Sequence, residues 1–238
     1  MIQNYLQKYL APPPAPKSNA GMRPASQGKL EAQALLRMFA TPLFKYKIHD
    51  LEMIRDMSKA VLNLKKQGQG SGDDRTWCTR DDLQTLVPFR GLVDIINAEI
   101  VNVLDALYVE REGFYIQCMW SNISEIGTVH QLHVHPNSFL SGVMYLQTPP
   151  GSGNFYLSDP RNGPKVIIPN YTRPDPEFIG GNWNAEVQEG DLYIFPSWLP
   201  HGVMPSPRKP DSPNRISLSF NIMIKSEINW KTAKWSLA

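Results

Sequence analysis

Cysteine is scarce in this chain: Cys78 and Cys118 are the only two among 238 residues. Two thiols cannot build a disulfide framework, so both are expected to be reduced, as in a cytoplasmic protein. No apolar run reaches the ~20 residues that span a bilayer. The opening stretch, Met1 to Pro14, lacks the basic n-region and apolar h-region of a secretory signal. Charge of one sign is also lacking. The net charge of +2 gives no basis for a nucleic-acid or membrane partner. There is no internal repeat and no phosphate-binding glycine loop, which sets aside solenoids and nucleotide-binding cradles. Histidine is rare too, with five in the chain, and three of the five fall in two places that matter below.

Proline is abundant, with 21 residues, mostly in the second half. That pattern fits many turns joining short strands. Residues 1–30 read as an N-terminal arm, flexible or clasping a neighbouring subunit. It has a short amphipathic stretch, Ile2 to Leu10, followed by an extended Pro-rich segment. Residues 31–238 read as a single domain. Its alternating segment Pro42 to Ile48 predicts a strand. Asp50 then caps a helix with apolar residues at Leu51, Ile54, Met57, Val61, Leu62 and Leu64. Gln67 to Asp74 reads as a flexible Gly/Ser loop. A longer helix is expected from Asp81 to Leu107, its first turns broken or kinked by Pro88 and Gly91.

From Gly113 onward, short aromatic and β-branched runs alternate with turn clusters. Strands are expected near 114–123, 130–136, 139–147, 154–158, 165–168, 184–187, 191–195 and 215–225. Eight such strands suggest a mainly β fold: a double-stranded β-helix (jelly roll, cupin-like) over 113–225, packed against helical support at 50–107.

The chemistry concentrates in His133-Val134-His135 and His201. In an extended strand, residues i and i+2 point to one face, about 6.6 Å apart. Two imidazoles so placed can tilt toward one cation, and a third on a neighbouring strand can close a face around it. Imidazole suits iron, zinc, copper and nickel. His130 reads as lining or supporting this site, and His49, just before a helix, as a surface residue. Phe195-Pro196-Ser197-Trp198 reads as wall and core, with Trp198 a candidate for the substrate pocket.

The order of these segments, closed by Arg215-Ile216-Ser217, resembles the iron(II)/2-oxoglutarate-dependent oxygenase superfamily. The stretch from His133 to Arg161, HVHPNSFLSGVMYLQTPPGSGNFYLSDPR, looks like the Putative 2OG-Fe(II) oxygenase family of bacterial and phage proteins. The segments Phe39-Ala-Thr-Pro-Leu-Phe44 and Trp120-Ser121-Asn122 fit it as well. The resemblance covers roughly residues 39–225. It implies a dioxygenase that uses Fe(II), 2-oxoglutarate and O2, converting 2-oxoglutarate to succinate and CO2 while hydroxylating a substrate. His133, His135 and His201 would be the metal ligands. Arg215 would anchor the distal carboxylate with its planar fork. Ser217, Tyr145 and Asn122 would add hydrogen bonds to the same co-substrate.

The ligand set departs from the usual His-x-Asp/Glu…His pattern of that superfamily. Two arrangements stay open. In one, three histidines bind iron. In the other, His135 supports the site while Asp159 or a water completes the sphere. Asp159-Pro160-Arg161 otherwise reads as a turn with a local ion pair. Two other functions are weighed: a three-His cupin-type oxygenase that uses no 2-oxoglutarate, and a non-catalytic β-barrel binding module. Arg215-x-Ser217 argues against the first. The expected partners are a small-molecule or peptide substrate. The arm and the long helices are compatible with a homodimer. The Pro/Gly-rich segment 160–183, with Tyr171, Arg173, Phe178 and Trp183, reads as a lid over the site.

Overall fold

A computed structural model describes residues 39–73, 75–161, 181–207 and 211–225, together with residues 166, 170 and 209 and the backbone of two closing strands. The arm at 1–30, the strand expected at 165–168, and the lid residues Tyr171, Arg173 and Phe178 lie outside the described residues. The elements run β1 (Phe44–Lys47), α1 (Leu51–Lys66), β2 (Gly70–Gly72), β3 (Thr76–Thr79), α2 (Arg90–Ala106), β4 (Gly113–Ser124), β5 (His130–His133), β6 (Leu140–Gln147), β7 (Phe155–Ser158), β8 (Asn182–Ala185), β9 (Asp191–Pro196), β10 (His201–Val203), β11 (Arg215–Lys225), β12 (Glu227–Trp230) and β13 (Ala233–Ser236).

A seven-stranded sheet has the order β1-β9-β6-β11-β4-β3-β2, and a four-stranded sheet the order β5-β10-β7-β8. Every pairing in both is antiparallel. This is the expected double-stranded β-helix with flanking helices. Strand alternation sorts the two faces of the large sheet. On one face Met119 and Ile123 of β4, Met144 of β6, Ile194 of β9 and Leu218 of β11 join one buried cluster with Ile54 of α1 and Ile96 of α2. On the other face Tyr145, Tyr193 and Phe195 pack against Phe155 and Leu157 of the small sheet. The helices therefore back the large sheet, and the space between the two sheets is left for a site.

The local causes are legible. The Asp50 carboxylate accepts from the Met53 backbone N–H at 2.9 Å and starts α1. Lys65 and Lys66 suit its last turn. Ile54, Met57, Val61 and Leu64 form the buried stripe of α1, whereas Leu51 and Leu62 stay exposed. The helix expected from Asp81 is shorter than its apolar pattern. Two 3-10 turns, Leu83–Thr85 and Val87–Phe89, precede α2. Pro88 cannot donate to a helical ladder, and regular helix starts only past it. The Gly/Ser segment is not simply a loop. Gly70–Gly72 pairs with Cys78 and its neighbours in β3. The Trp77 ring lies against Gly70, where a side chain would overlap it. Asp73 closes the hairpin, its carboxylate accepting from the N–H groups of Arg75 and Thr76 at 2.8 and 2.7 Å. Trp183, expected in a lid, stands in β8 instead.

Candidate metal centre

The histidines come together on the rim of the small sheet. β5 and β10 pair so that His133 lies opposite His201, while His201 is flanked on its other side by Leu157 of β7. β5 ends at His133, and His135 follows just beyond it. The His135 N–H donates to the Ser197 carbonyl at 3.0 Å, which ties it to the turn leading into β10. The ligand nitrogens of His133, His135 and His201 all lie within 4.8 Å of one another. The fit to a metal goes beyond proximity. A carbonyl oxygen can only accept, so the contact of His133 Nδ1 with the Gln131 carbonyl at 2.8 Å makes Nδ1 the N–H. The same holds for His201 Nδ1 and the Leu199 carbonyl, also at 2.8 Å. Both rings thus present the lone pair of Nε2, as a metal-binding imidazole supported from behind does.

Burial keeps the rings of His201 and His135 neutral. It pushes the His201 pKa down to about 3, opposed by the hydrogen bond to the Leu199 carbonyl. His135 is pushed down to about 4 by burial and by the neighbouring His133. Neutral imidazole is the form that ligates. Gly202 permits this packing. A Cβ there would meet the His130 carbonyl at 2.6 Å and the Tyr156 ring at 2.8 Å. A bare backbone between His201 and Val203 therefore lets the strands close around the ligand.

The three rings line a cavity of about 110 Å³ between the sheets, together with Trp120, Asn122, Tyr145, Phe155, Phe195 and Ser217. That is roomy enough for more than one water. Ser217 is in register with Asn122 on one side and Tyr145 on the other, so the three form one cross-strand row. The Tyr145 hydroxyl is buried and has no hydrogen-bond partner among the described residues. Burial raises its pKa, so it stays a neutral donor. An orphaned buried donor facing a cavity suits an oxygen-rich ligand.

Arg215 lies deeper than the sequence suggests. It is 1% exposed. One Nη donates to the Ser152 carbonyl and the other to Ser124 Oγ, each at 3.0 Å. It does not line the cavity surface, but its charge acts on both Tyr145 and His130. It is not the surface residue that a strand-start arginine often is. His130 lines the cavity and contacts Ser124 Oγ at 3.2 Å. Asp159 stands outside the histidine cluster, and Arg161 holds its carboxylate at 2.7 Å. That matches the local ion pair rather than a ligand standing in for His135. Trp198 is 54% exposed and off the cavity wall. The turn before β9 is fixed by Asp191, whose carboxylate accepts from the Gln188 N–H at 3.0 Å and pairs with Lys47 at 3.1 Å.

Sequence reasoning passed over Asn221, Ser141 and Cys118. Their cross-strand register puts them side by side behind His135. The polar alternation Arg215, Ser217, Ser219, Asn221 in β11 was the available signal. Trp120 was singled out only as part of a motif, yet its ring lies 5.7 Å from that of His135.

The model of the family described as Putative 2OG-Fe(II) oxygenase matches residues 118–221. That span runs from Cys118 in β4 to Asn221 in β11 and contains all three clustered histidines. Among solved structures, a prolyl-4-hydroxylase of Pseudomonas putida has a similar fold, with a TM-score of 0.58 at 14% identity over 78% of this chain and 94% of that one. HygX of Streptomyces hygroscopicus, with nickel and 2-oxoglutarate bound, gives 0.56 at 13% identity over 80% and 85%. A prolyl hydroxylase from Trichoplax adhaerens, in complex with a hypoxia inducible factor peptide, gives 0.57 at 14% identity over 76% and 83%. A search of curated protein sequences finds no match. At these identities the structural likeness is one of fold, and it joins a family match over the β core that carries the site. The chain is thus similar to the family described as Putative 2OG-Fe(II) oxygenase over residues 118–221, and it shares the fold of these solved oxygenase structures.

Proposed function

We propose that this chain is an Fe(II)/2-oxoglutarate-dependent dioxygenase that hydroxylates a small-molecule or peptide substrate, with His133, His135 and His201 as metal ligands. One observation carries the reading. Three histidines, two with Nε2 fixed as an acceptor, share a cavity with the orphaned hydroxyl of Tyr145. Bound iron would supply oxidative decarboxylation of 2-oxoglutarate to succinate and CO2, coupled to oxidation of a substrate C–H bond. The chain's own residues hold and orient. The Gln131 and Leu199 carbonyls fix two imidazoles before any ligand arrives, so little rotamer entropy remains to be lost. Tyr145, Ser217 and Asn122 line one row of donors for the co-substrate. Arg215, locked by Ser124 and Ser152, supplies positive charge behind that row. Phe155 and Phe195 pack near His201, their ring centroids 6.2 and 4.7 Å from its own, and make that side of the cavity apolar.

The test is succinate release from 2-oxoglutarate with Fe(II) and O2, coupled to a screen for +16 products over metabolite and peptide libraries. The absence of both succinate and an anaerobic Fe(II)/2-oxoglutarate charge-transfer band would overturn the reading. O2 consumption without 2-oxoglutarate would assign the chain to three-His oxygenases that need no 2-oxo acid.

A further inference from the structure

We infer that Asn221 sets the ligating tautomer of His135 by turning its side-chain amide, so that it is a positioning residue for the metal. The inference rests on the three-histidine reading above. His201 Nε2 is an acceptor, because its Nδ1 donates to the Leu199 carbonyl. His135 Nε2 lies 3.2 Å from it, a contact that pairs only if His135 Nε2 carries the proton. His135 Nδ1 then accepts, and the Asn221 amide nitrogen stands 3.4 Å from it as the donor. That tautomer cannot bind a metal through Nε2. The ligating tautomer carries its proton on Nδ1 and needs an acceptor behind it, and the Asn221 carbonyl oxygen becomes that acceptor when the amide turns over.

The surroundings of Asn221 accept either orientation. It is 7% exposed, so its partners matter. Ser141 Oγ donates to Asn221 Oδ1 at 2.8 Å and is itself 2.8 Å from Ser197 Oγ. Cys118 Sγ lies 3.4 Å from the Asn221 amide nitrogen. Burial raises the Cys118 pKa, so its sulfur keeps its proton. Hydroxyl and thiol both donate and accept. When the amide turns, Ser141 accepts from the amide nitrogen and passes its own proton toward Ser197. Cys118 becomes a donor to the amide oxygen. The amide keeps its three partners through the turn, and the one bond given up, His135 Nε2 to His201 Nε2, leaves two lone pairs facing the metal position. The proton of His135 moves between Nε2 and Nδ1 through solvent, with no change in charge. The row Cys118, Asn221, Ser141 is fixed by strand register, so the device is built into the sheet.

The test compares Co(II) binding by the wild-type chain, Asn221→Asp and Asn221→Ala, with thermal unfolding as a check on folding. Asp keeps an acceptor behind His135 and removes the donor. Ala removes both. We expect Asn221→Ala to bind Co(II) about 10–100-fold more weakly, and Asn221→Asp to bind as well as wild type or better. Histidine ring 15N shifts should show the His135 proton on Nδ1 in Asn221→Asp without metal. Equal affinity in all three proteins overturns the inference, as does an equal loss in both variants, which would make Asn221 structural. Co(II) affinity unchanged by His133→Ala overturns the three-histidine reading itself, and the inference with it.

Discussion

The two faces of β11 divide the molecule's labour. Ile216, Leu218 and Ile222 belong to the buried cluster shared with the helices and are fully buried. Arg215, Ser217 and Asn221 alternate with them and face the site, also buried but polar. Burying an apolar side chain contributes roughly 1.5–3 kcal/mol, whereas burying a polar group gains little even when it is paired. One face therefore holds the fold together, and the other is retained for what it binds. Damage to the two faces should separate cleanly into lost stability and lost binding.

The largest effect expected on the cavity side is His201→Ala: metal content falls to background and succinate release with it, while the unfolding midpoint stays near that of the wild type. Iron analysis and a melting curve together check this, and a collapse in stability would break the division. On the helix side, Leu218→Ala should cost about 2–5 kcal/mol by denaturant titration, with Co(II) affinity kept in the folded fraction. Ser217→Ala should weaken 2-oxoglutarate binding about tenfold or more, as expected for one lost hydrogen bond to a charged group. Unchanged binding by calorimetry would remove Ser217 from the co-substrate row.

Tyr145→Phe sharpens the comparison most, because the two faces then move in opposite directions. Removing the orphaned hydroxyl should stabilise the fold by about 1 kcal/mol while raising the KM for 2-oxoglutarate. The smallest effect concerns pH. Burial, with Arg215 and His133 adding to it, pushes the His130 pKa down to about 4 from an ordinary 6.5, and Ser124 is its hydrogen-bonded neighbour. The unfolded chain takes up this proton first, so stability is full above about pH 6.5 and declines as the pH falls toward 4. His130→Gln should reduce the slope of that part of the pH–stability curve, leaving the share that His135 and His201 contribute. An unaltered slope would show that His130 is not its source.

The fold was readable where aromatic and β-branched runs are set off by turn residues and obscure where they are not. The strands β4, β6, β9 and β11 are such runs, and their expected ranges fall within a few residues of those observed. Gly70–Gly72 carries only the Ser71 side chain, so no run of residues marks its strand, and the Trp77 ring lies against Gly70. The apolar period of the helical region continues through Leu83 and Leu86, and only the missing N–H of Pro88 reveals that regular helix starts later. At the site, His133, His135 and His201 were legible as a set because so few histidines exist. Their tautomers were not, because the Gln131 and Leu199 carbonyls that fix them are backbone atoms. The depth of Arg215 was equally hidden, since it depends on Ser124 and Ser152, distant in the chain.

The rim position of the histidines governs how the centre is filled. His201 sits on an inner strand and is 6% exposed, whereas His133 lies on the edge strand β5 and faces solvent. If the three histidines hold the metal as proposed, it can be taken up or stripped by a chelator through the solvent side, with no strand of the sheet separating. Loading follows folding, and the melting temperature should climb with free metal concentration by simple mass action. Exchange kinetics at this centre belong to one edge of the small sheet, and its rigidity belongs to the strand beneath.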